Sequence, residues 1–330
     1  MKTNKLNLLE TLPVTILFAL LFFIACGKSE TSVTPTPEPN PGVSNLDGSL
    51  VAGDYIADYS KAKENVLRAI PKKYMDVARN QLQVAYQHTS HGTHVTRGLF
   101  GLKDYKVGDN TLFAITNNNP ATDKLAFFDN FAGWGDLSAD ETMFIAATRQ
   151  FLDDPKNANV NVIMWSWCDI TGHDVAKNYL PGMKQLISEY GKNGTKKRAK
   201  PVYFVFMTGH AVGNANIGDG KPKNQADLIT NFCKENKQLC LDYYSIDTHD
   251  MTDKYWDDTD DNGYSAKYNG NFYADWQTAN TKGVAWFENK NTNGDVAFGE
   301  HNTQHITANR KAYAMWWILA RIAGWDGVSK

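Results

Sequence analysis

Residues 85–99 read AYQHTSHGTHVTRGL and join the end of an apolar run to the start of a helical pattern. Three histidines stand at three-residue spacing in this stretch, around Ser90 and Gly92. Alternation of strands with helices is typical of a parallel sheet covered on both faces. The stretch therefore predicts an α/β fold, with polar residues placed where a strand ends.

Five short runs rich in β-branched and aromatic residues predict buried strands. They lie at 82–87, 125–131, 160–167, 201–207 and 239–246. Helical patterns separate them; SADETMFIAATRQFLDD opens with Ser138 three residues before Glu141, as a capping box does. The last pattern, ITANRKAYAMWWILARIAGW, carries its apolar residues on one helical face. We predict a three-layer α/β/α sandwich around a mostly parallel, five-stranded central sheet.

The composition favours one large domain, predicted over residues 49–330. A chain of 330 residues with 42% hydrophobic residues can bury one sizeable core. The formal net charge is −2, and no stretch supplies the clustered basic face that phosphate binding needs. We therefore expect no nucleic-acid partner.

The N-terminus predicts export and a lipid anchor. Lys2 and Lys5 precede the apolar run VTILFALLFFIA, so residues 1–25 are predicted to be a signal peptide. The sequence FIAC resembles the lipobox of bacterial lipoproteins, which implies lipidation of Cys26 and attachment to the outer membrane, on its periplasmic or surface side. Residues 26–48 are rich in Ser, Thr, Pro and Glu, which predicts a disordered tether.

Three cysteines follow the lipobox: Cys168, Cys233 and Cys240. Cys233 and Cys240 flank a polar helix end, and an exported protein can form disulfides. Sequence spacing alone does not establish the Cα separation that a disulfide needs. A disulfide between these two residues and a pair of free thiols are therefore alternatives.

Histidines concentrate where the predicted strands end. In parallel sheets the working residues gather at the carboxyl ends of the strands, because loops converge there. The loops HTSHG, NFAGWGD, SWCDITGHD and TGHAVGN follow four predicted strands, and EHNTQH precedes the last helix. Four of these five loops contain histidine, which indicates a functional site at this edge.

The order of these blocks, from about residue 82 to 322, resembles the SGNH (GDSL-like) hydrolases. The resemblance implies an SGNH or flavodoxin-like fold, with Ser90 of HTSHG as the nucleophile, although Gly-Asp-Ser is replaced by His-Thr-Ser. It implies that the amide of Gly135 in NFAGWGD helps to form an oxyanion hole, and that His305 in NTQHITANRKAYA is the base. Asn302 stands at the acid position, and Cys168 stands where the family has asparagine.

The chemistry of acyl transfer needs these parts together. A serine hydroxyl is a weak nucleophile until an imidazole takes its proton, and the oxyanion that forms needs preorganised amides. His305 must itself be oriented, and Asn302, Glu300 or a backbone carbonyl are the alternatives. A simple helix-capping role is the alternative for Ser90.

Other residues at this edge of the sheet are predicted to contact the substrate. His88 and His91 line the pocket or hydrogen-bond the substrate, with a structural role as the alternative. Cys168 occupies the place of the third oxyanion donor, and His210 in MTGH, at the end of the fourth predicted strand, takes over the role of that missing donor.

A zinc site is a rival interpretation, because imidazoles suit zinc and a zinc-bound water is a nucleophile. The His-Glu-x-x-His pattern is absent from the sequence. The possible ligands would be His88, His91 and His94, joined by His173, His210 or His305.

An irregular insertion at about 247–293 contains DDTDDNG, where Asp258, Asp260 and Asn262 have the alternate spacing of calcium loops. The terminal glutamate of such loops is replaced by Asn269. A structural calcium ion and a solvated acidic loop are the alternatives. The same insertion is rich in Trp and Tyr, whose rings would either bind sugars or form a small core.

The combined prediction is a serine esterase of SGNH type, attached to the cell envelope, that removes acetyl or other acyl groups from a carbohydrate. It requires no cofactor. A metal-dependent hydrolase and a non-catalytic carbohydrate-binding lipoprotein are the alternatives, and the oligomeric state is not predicted.

Overall fold

The computed structural model describes residues 46–133 and 135–328. The predicted signal peptide (1–25), the lipidation residue Cys26 and most of the predicted tether lie outside these residues. Among the helices that are described, none combines the length and the apolar character needed to cross a membrane.

A seven-stranded parallel sheet forms the centre of the described chain. The strands are β1 (Ile56–Ala57), β2 (Gln83–Gln87), β3 (Ile115–Asn117), β4 (Leu125–Asp129), β5 (Val162–Trp165), β6 (Tyr203–Met207) and β7 (Cys240–Leu241). Their order in the sheet is β1-β7-β6-β5-β2-β4-β3. A separate antiparallel hairpin pairs β8 (Tyr264–Ser265) with β9 (Gly270–Asn271).

Helices connect the strands and cover both faces of the sheet. They are α1 (Glu64–Ala69), α2 (Lys72–Gln81), α3 (Thr93–Leu102), α4 (Asp109–Leu112), α5 (Met143–Asp153), α6 (Tyr179–Tyr190), α7 (Pro222–Asn236), α8 (Tyr243–Thr248), α9 (Phe272–Ala279) and α10 (Ile306–Ile322). Side chains alternate along β2, so that Val84 and Tyr86 enter one apolar core while Ala85 enters the other. The first core contains α1, α2, α3 and α10, and the second contains α5, α6 and α7. The molecule is therefore a three-layer α/β/α structure.

The direction of chain progression through the sheet reverses at β2. Val84 of β2 pairs with Phe127 of β4 on one side and with Val162 of β5 on the other. The next strands, β6 and β7, continue on the β5 side, whereas β3 continues on the β4 side. This strand order predicts a ligand-binding crevice between the loops that leave β2 and β5 at their carboxyl ends.

The predicted strands and the observed ones agree in part. All five predicted runs contain a strand, but the sheet has seven because β1 and β3 are edge strands of two and three residues. Strands that short carry no readable periodicity. The prediction of a strand through 239–246 is wrong beyond Leu241, because Asp242 accepts a hydrogen bond from the backbone N–H of Ser245 (3.3 Å) and begins α8.

The predicted capping box at Ser138 is also wrong. Helix α5 begins at Met143, and Asp140 Oδ1 accepts hydrogen bonds from the N–H groups of Thr142 (2.8 Å) and Met143 (3.1 Å). Ser138 Oγ is used elsewhere, since it accepts the N–H of Cys168 at 2.8 Å. The serine therefore joins two loops at the carboxyl edge of the sheet instead of starting a helix.

The described cysteines are free thiols, which is the second of the two alternatives for Cys233 and Cys240. Both are fully buried, in α7 and β7. Burial, followed by the neighbouring Cys233 thiol, raises the pKa of Cys240.

Helix α10 is buried along its whole length, which goes beyond the single apolar face predicted from its sequence. Its charged residues have internal partners: Arg321 Nη2 donates to the carbonyl of Val51 (2.7 Å), and Lys311 pairs with Asp247. Helix α3 lies directly against it. A Cβ at Gly98 would stand 2.1 Å from the carbonyl oxygen of Ala308, so the two helix backbones approach closely at this glycine.

We expect Gly98→Ala to destabilise the protein by about 1–3 kcal/mol, because overpacking against a fixed carbonyl forces α3 and α10 apart. The matched control is Gly182→Ala in α6, where the new Cβ would meet only the side-chain ends of Ile145 (2.7 Å) and Phe144 (2.8 Å). Urea unfolding measures both free energies. Equal stability of the two variants would contradict the close helix contact.

Candidate active site

Four side chains meet at the carboxyl end of β2 and β5. His91 follows β2, Cys168 follows β5, His210 follows β6, and Asp261 comes from the segment between α8 and β8. The sequence placed the first three of these at this edge, and the structure brings them together. Asp261 was not among the assigned residues.

The turn that presents His91 is tightly constrained. Ser90 has a φ of +28°, outside the backbone regions that non-glycine residues commonly adopt. Tyr243 Oη donates to the carbonyl of His91 (2.8 Å), and Tyr86 Oη donates to that of Gly92 (3.1 Å). A Cβ at Gly92 would stand 2.3 Å from Cβ of His88, so this position requires glycine. Strained and over-determined backbone of this kind clusters at functional sites.

The imidazole of His91 lies between a thiol and a carboxylate. Its Nδ1 is 3.5 Å from Cys168 Sγ, and its Nε2 is 3.3 Å from Asp261 Oδ2. The ring is stacked on His210 with centroids 3.6 Å apart, and on its other side lies His301 at 4.7 Å. Cys168 is partly exposed and His301 is exposed, so solvent reaches the thiol side of this cluster.

The charges of the cluster are set by these contacts. Burial would lower the pKa of His91, but the close contacts and charges of Asp261 and Cys168 outweigh it and raise that pKa to about 9. The hydrogen bond from His91 lowers the pKa of the Cys168 thiol, with a further contribution from Ser90. Burial and the neighbouring His91 charge lower the pKa of His210 to about 4. At neutral pH these shifts favour a protonated His91 beside a neutral His210.

The loop that carries Cys168 is fixed by one hydroxyl group. Ser138 Oγ accepts the N–H of Cys168 (2.8 Å) and the N–H of Asp169 (2.7 Å). Ser90, in the turn after β2, also contributes to the lowered pKa of the Cys168 thiol. The hydroxyl of Ser138 therefore fixes the backbone that carries the sulfur.

A buried ion pair contacts the segments that position His91 and His210. Lys311 of α10 and Asp247 of α8 form an ion pair in which both side chains are fully buried. Asp247 Oδ2 also accepts the N–H of Ala211 (3.2 Å), which follows His210, and Lys311 Nζ lies 4.1 Å from the centre of the Tyr243 ring. The pair thus fixes both the loop of His210 and the tyrosine that holds the backbone of His91.

The other predicted histidines have structural partners. His88 Nε2 lies 2.8 Å from Asp129 Oδ1, and the side chain is buried. His94 is fully buried, and its Nε2 donates to the carbonyl of Glu300 (2.9 Å). His173 Nδ1 lies 3.5 Å from a carboxylate oxygen of Glu141. The structure therefore does not assemble the zinc ligand set of His88, His91 and His94.

The structure does not bring His305 to Ser90, and the assignment of His305 as the base for this serine is corrected. His305 Nδ1 accepts the N–H of Asn289 (3.1 Å), and its ring is stacked against Trp286 and Phe298, at 5.7 and 4.4 Å between centroids. Within residues 46–133 and 135–328, no hydrogen bond, ion pair or ring contact joins His305 to Ser90. The start of α10 faces the 286–298 segment, and His91 is the imidazole beside the serine turn.

The two residues expected to orient His305 have other partners and are corrected as well. Asn302 Oδ1 accepts the N–H of Gln304 (2.7 Å), while its Nδ2 donates to the carbonyl of Asp261 (3.0 Å). The carboxylate of Glu300 pairs with Arg97 at 2.7 Å. Asn302 therefore positions the backbone that presents Asp261.

Gly135 lies next to the site with a φ of +45°. Its carbonyl accepts a hydrogen bond from Gln87 Nε2 (2.7 Å), at the end of β2. Within the residues that the structure describes, its amide has no acceptor, and the same is true of the amides of Ser90 and His91. These three amides are the available donors for an oxyanion.

The three predicted calcium ligands are engaged in hydrogen bonds within the protein. Asp258 accepts the hydroxyl of Ser265 (2.6 Å), Asp260 accepts the N–H of Tyr264 (2.8 Å), and Asn262 Oδ1 accepts the N–H of Thr303 (2.9 Å). The loop uses these oxygens to hold its own shape, and it directs Asp261, which lies between them, into the histidine cluster.

Most aromatic rings of the insertion form a small core of their own, which was one of the two alternatives. The buried side chains of this core are Phe272, Tyr273 and Ile306, and the half-buried Met251, Trp256, Tyr268, Trp276 and Trp286 pack against them. Tyr264 is 56% exposed and lies three residues from Asp261. The insertion therefore places one exposed aromatic ring close in sequence to the site.

No protein-family model, no curated protein and no solved structure matches this chain.

We expect removal of one charge of the Lys311–Asp247 pair to lower the stability of the protein more than removal of both charges. Lys311→Met or Asp247→Leu alone should destabilise the protein by about 3–5 kcal/mol, because an uncompensated charge stays buried, and the double variant should be closer to the wild type. Urea unfolding measures these free energies.

The control is Lys223→Ala, which removes an exposed ion pair with Asp227 and should cost no more than about 0.5 kcal/mol. If the single variants lost no more unfolding free energy than this control, the Lys311–Asp247 pair would not be a structural constraint.

Proposed function

We propose that the protein is a hydrolase that cleaves ester bonds through attack by the Cys168 thiolate. In this proposal His91 is the general acid and base, and Asp261 orients its ring. The observation that carries the proposal is the position of His91, whose two ring nitrogens lie 3.5 Å from Cys168 Sγ and 3.3 Å from Asp261 Oδ2. A nucleophile, an imidazole and an orienting acid in this order form the arrangement used by thiol and serine hydrolases.

The reaction follows from these contacts. The thiolate attacks the ester carbonyl, and the tetrahedral intermediate collapses when the alcohol leaves with the proton of His91 Nδ1. Cys168 then carries the acyl group as a thioester. Nδ1 takes a proton from water as the water attacks the thioester, and the carboxylic acid leaves. Release restores the thiolate beside a protonated imidazole.

The amides near the thiol supply the electrostatic part of the mechanism. The oxyanion of each intermediate needs preorganised N–H donors, and losing one such donor typically costs on the order of a hundredfold in rate. The amides of Ser90, His91 and Gly135 are unpaired within the described residues, and Ser90 and Gly135 are held at positive φ. We assign these amides as the oxyanion donors.

Ser90 is a second candidate nucleophile. It follows the central strand β2, has a φ of +28°, and contributes to the lowered pKa of the Cys168 thiol. In that alternative the same imidazole of His91 would accept the serine proton. We rank Cys168 first because Nδ1 of His91 faces its sulfur.

We also propose that the chain is a divergent member of the SGNH hydrolases with a flavodoxin-like fold. The five predicted strands stand in the sheet in the order second, first, third, fourth, fifth, which is the flavodoxin-like order. Ser90 after the first of them and Gly135 after the second support the proposal. A base at His91 is a departure from the family pattern.

The proposed substrate is a carbohydrate ester, and acetylated carbohydrate is the first candidate. The proposed location is the bacterial outer membrane, to which a lipid on Cys26 would attach the protein. Exposed Tyr264, three residues from Asp261, supports the first point, because an aromatic face suits a sugar ring. The FIAC sequence supports the second. Catalysis through Cys168 needs no cofactor.

We expect Cys168→Ala and His91→Gln each to lower kcat/KM for p-nitrophenyl acetate by about 10²–10⁴-fold, because each removes a group that acts in the transition state. Iodoacetamide should inactivate the protein and modify Cys168 alone among Cys168, Cys233 and Cys240, because the other two are fully buried. Mass spectrometry locates the modified residue.

Cys233→Ala is the matched control, since it removes a thiol outside the site and should leave hydrolysis unchanged. Full activity of Cys168→Ala, together with labelling of Ser90 by a fluorophosphonate, would assign the reaction to Ser90. A folded protein that hydrolyses no ester and reacts with neither probe would overturn the proposal.

A further inference from the structure

We propose that His91, His210 and Asp261 form a binding site for one divalent metal ion of the zinc type. One nitrogen from each imidazole and one carboxylate oxygen lie within 4.8 Å of one another. Each of the three side chains is about nine-tenths buried, at 8% exposure. They come from three separate segments, so the cluster results from the tertiary fold.

His210 presents its second ring nitrogen with an available lone pair. Its Nδ1 lies 2.7 Å from the carbonyl of Ala211 and therefore carries the proton, which leaves Nε2 unprotonated in the neutral ring. A hydrogen bond from the remote ring nitrogen to a backbone carbonyl is the usual way in which proteins orient a histidine that binds a metal. The next residue, Ala211, is fixed in turn by Asp247.

Asp261 supplies an oxygen that lacks a hydrogen-bond partner. Oδ2 is buried, and among the described residues no donor meets it in hydrogen-bond geometry. His91 Nε2 approaches to 3.3 Å as an ion pair but not as an aligned hydrogen bond. A buried charged oxygen without a donor is costly, and a metal ion would satisfy it. The carbonyl of Asp261 accepts a hydrogen bond from Asn302, which fixes the backbone at this residue.

The nearest buried ammonium group is already engaged. Lys311 lies beneath the cluster and is paired with Asp247, so its charge is balanced within that pair. The imidazoles of His91, His94 and His210 are the groups that most lower the pKa of Asp261, with the ring of His91 first.

The donor set selects the type of ion. Two imidazoles and one carboxylate suit zinc and similar transition metals, whereas calcium and magnesium prefer oxygen ligands. Tetrahedral zinc with ligand bonds of about 2.0–2.2 Å brings its ligand atoms to about 3.3–3.5 Å from one another. The three atoms would have to close by about 1.5 Å at most from 4.8 Å, which is within the range of small side-chain rotations. The fourth position would hold water or a substrate oxygen.

Occupation of this site would regulate the proposed hydrolysis, and this consequence rests on the proposed function. The metal would take Nε2 of His91 and Oδ2 of Asp261, the same atoms that orient the base. Nδ1 would still face Cys168 but would keep its proton, since a metal-bound imidazole is a weaker acid than imidazolium. Zinc should therefore inhibit cleavage by Cys168.

The test is calorimetric titration of the chelator-treated protein with zinc chloride. We expect one ion per chain, and His210→Gln or Asp261→Asn should weaken binding at least tenfold. Cys168→Ala should bind zinc as the wild type does. His173→Gln is the control for incidental histidine binding, because His173 lies beside Glu141 outside the cluster.

Cobalt is the second probe. The loaded protein should show the visible absorption of four-coordinate cobalt, and Cys168→Ala should leave that spectrum unchanged because sulfur is not a ligand. Zinc bound with this variant pattern, in a protein that hydrolyses no ester, would support the metal site and overturn the proposed function. The inference is overturned if zinc does not bind, or if His210→Gln and Asp261→Asn bind it as tightly as the His173→Gln control.

Discussion

The ion pair between Lys311 and Asp247 is the constraint on which the rest of the site depends. Both side chains are fully buried, so neither charge can turn toward water if the other is displaced. The pair joins α10 to α8 and, through the amide of Ala211, to the loop of His210. A buried ion pair of this kind adds little net stability, but it strongly disfavours any arrangement in which the charges separate. It therefore fixes three segments to a common position under the histidine cluster.

The side chains of the histidine cluster differ in charge. Asp261 and the Cys168 thiol lie on opposite edges of the His91 ring, and both favour its protonated form. The neutral ring of His210 lies flat against it. The His91 imidazole thus joins the thiol of Cys168 to the carboxylate of Asp261 along its plane, and its faces contact other rings. The same geometry supports a proton-transfer role along the plane and a metal-binding role at the Nε2 edge.

The layout of the sheet could be predicted from the sequence because buried parallel strands are continuous apolar runs. All five such runs contain a strand, and the loops that follow them form the site. The edge strands β1 and β3 are too short to be detected in this way. The region after Leu241 was misread, because its aromatic residues resemble a strand while the Asp242 cap makes it a helix.

The sequence predicts which edge of the sheet carries the site residues, but it does not predict which side chains contact one another there. Asp261 lies in an irregular segment whose path is set by Asn302 and by hydrogen bonds within the loop. The sequence of this segment has no periodic pattern from which its path could be predicted. The sequence around His305 resembles a catalytic block of the SGNH hydrolases, with asparagine at its acid position. Its ring, however, is enclosed by Trp286 and Phe298, and contacts of this kind form only when distant segments pack.

The hydroxyl of Ser138 has a consequence for the history of this protein. One oxygen accepts two consecutive amides and thereby fixes the path of the chain at Cys168 and Asp169. Any descendant that replaced this serine by a residue without an acceptor would leave both amides unsatisfied, and the sulfur would lose its fixed position. Natural selection that keeps Cys168 in this position should therefore act on position 138 as well, although the two lie on different loops.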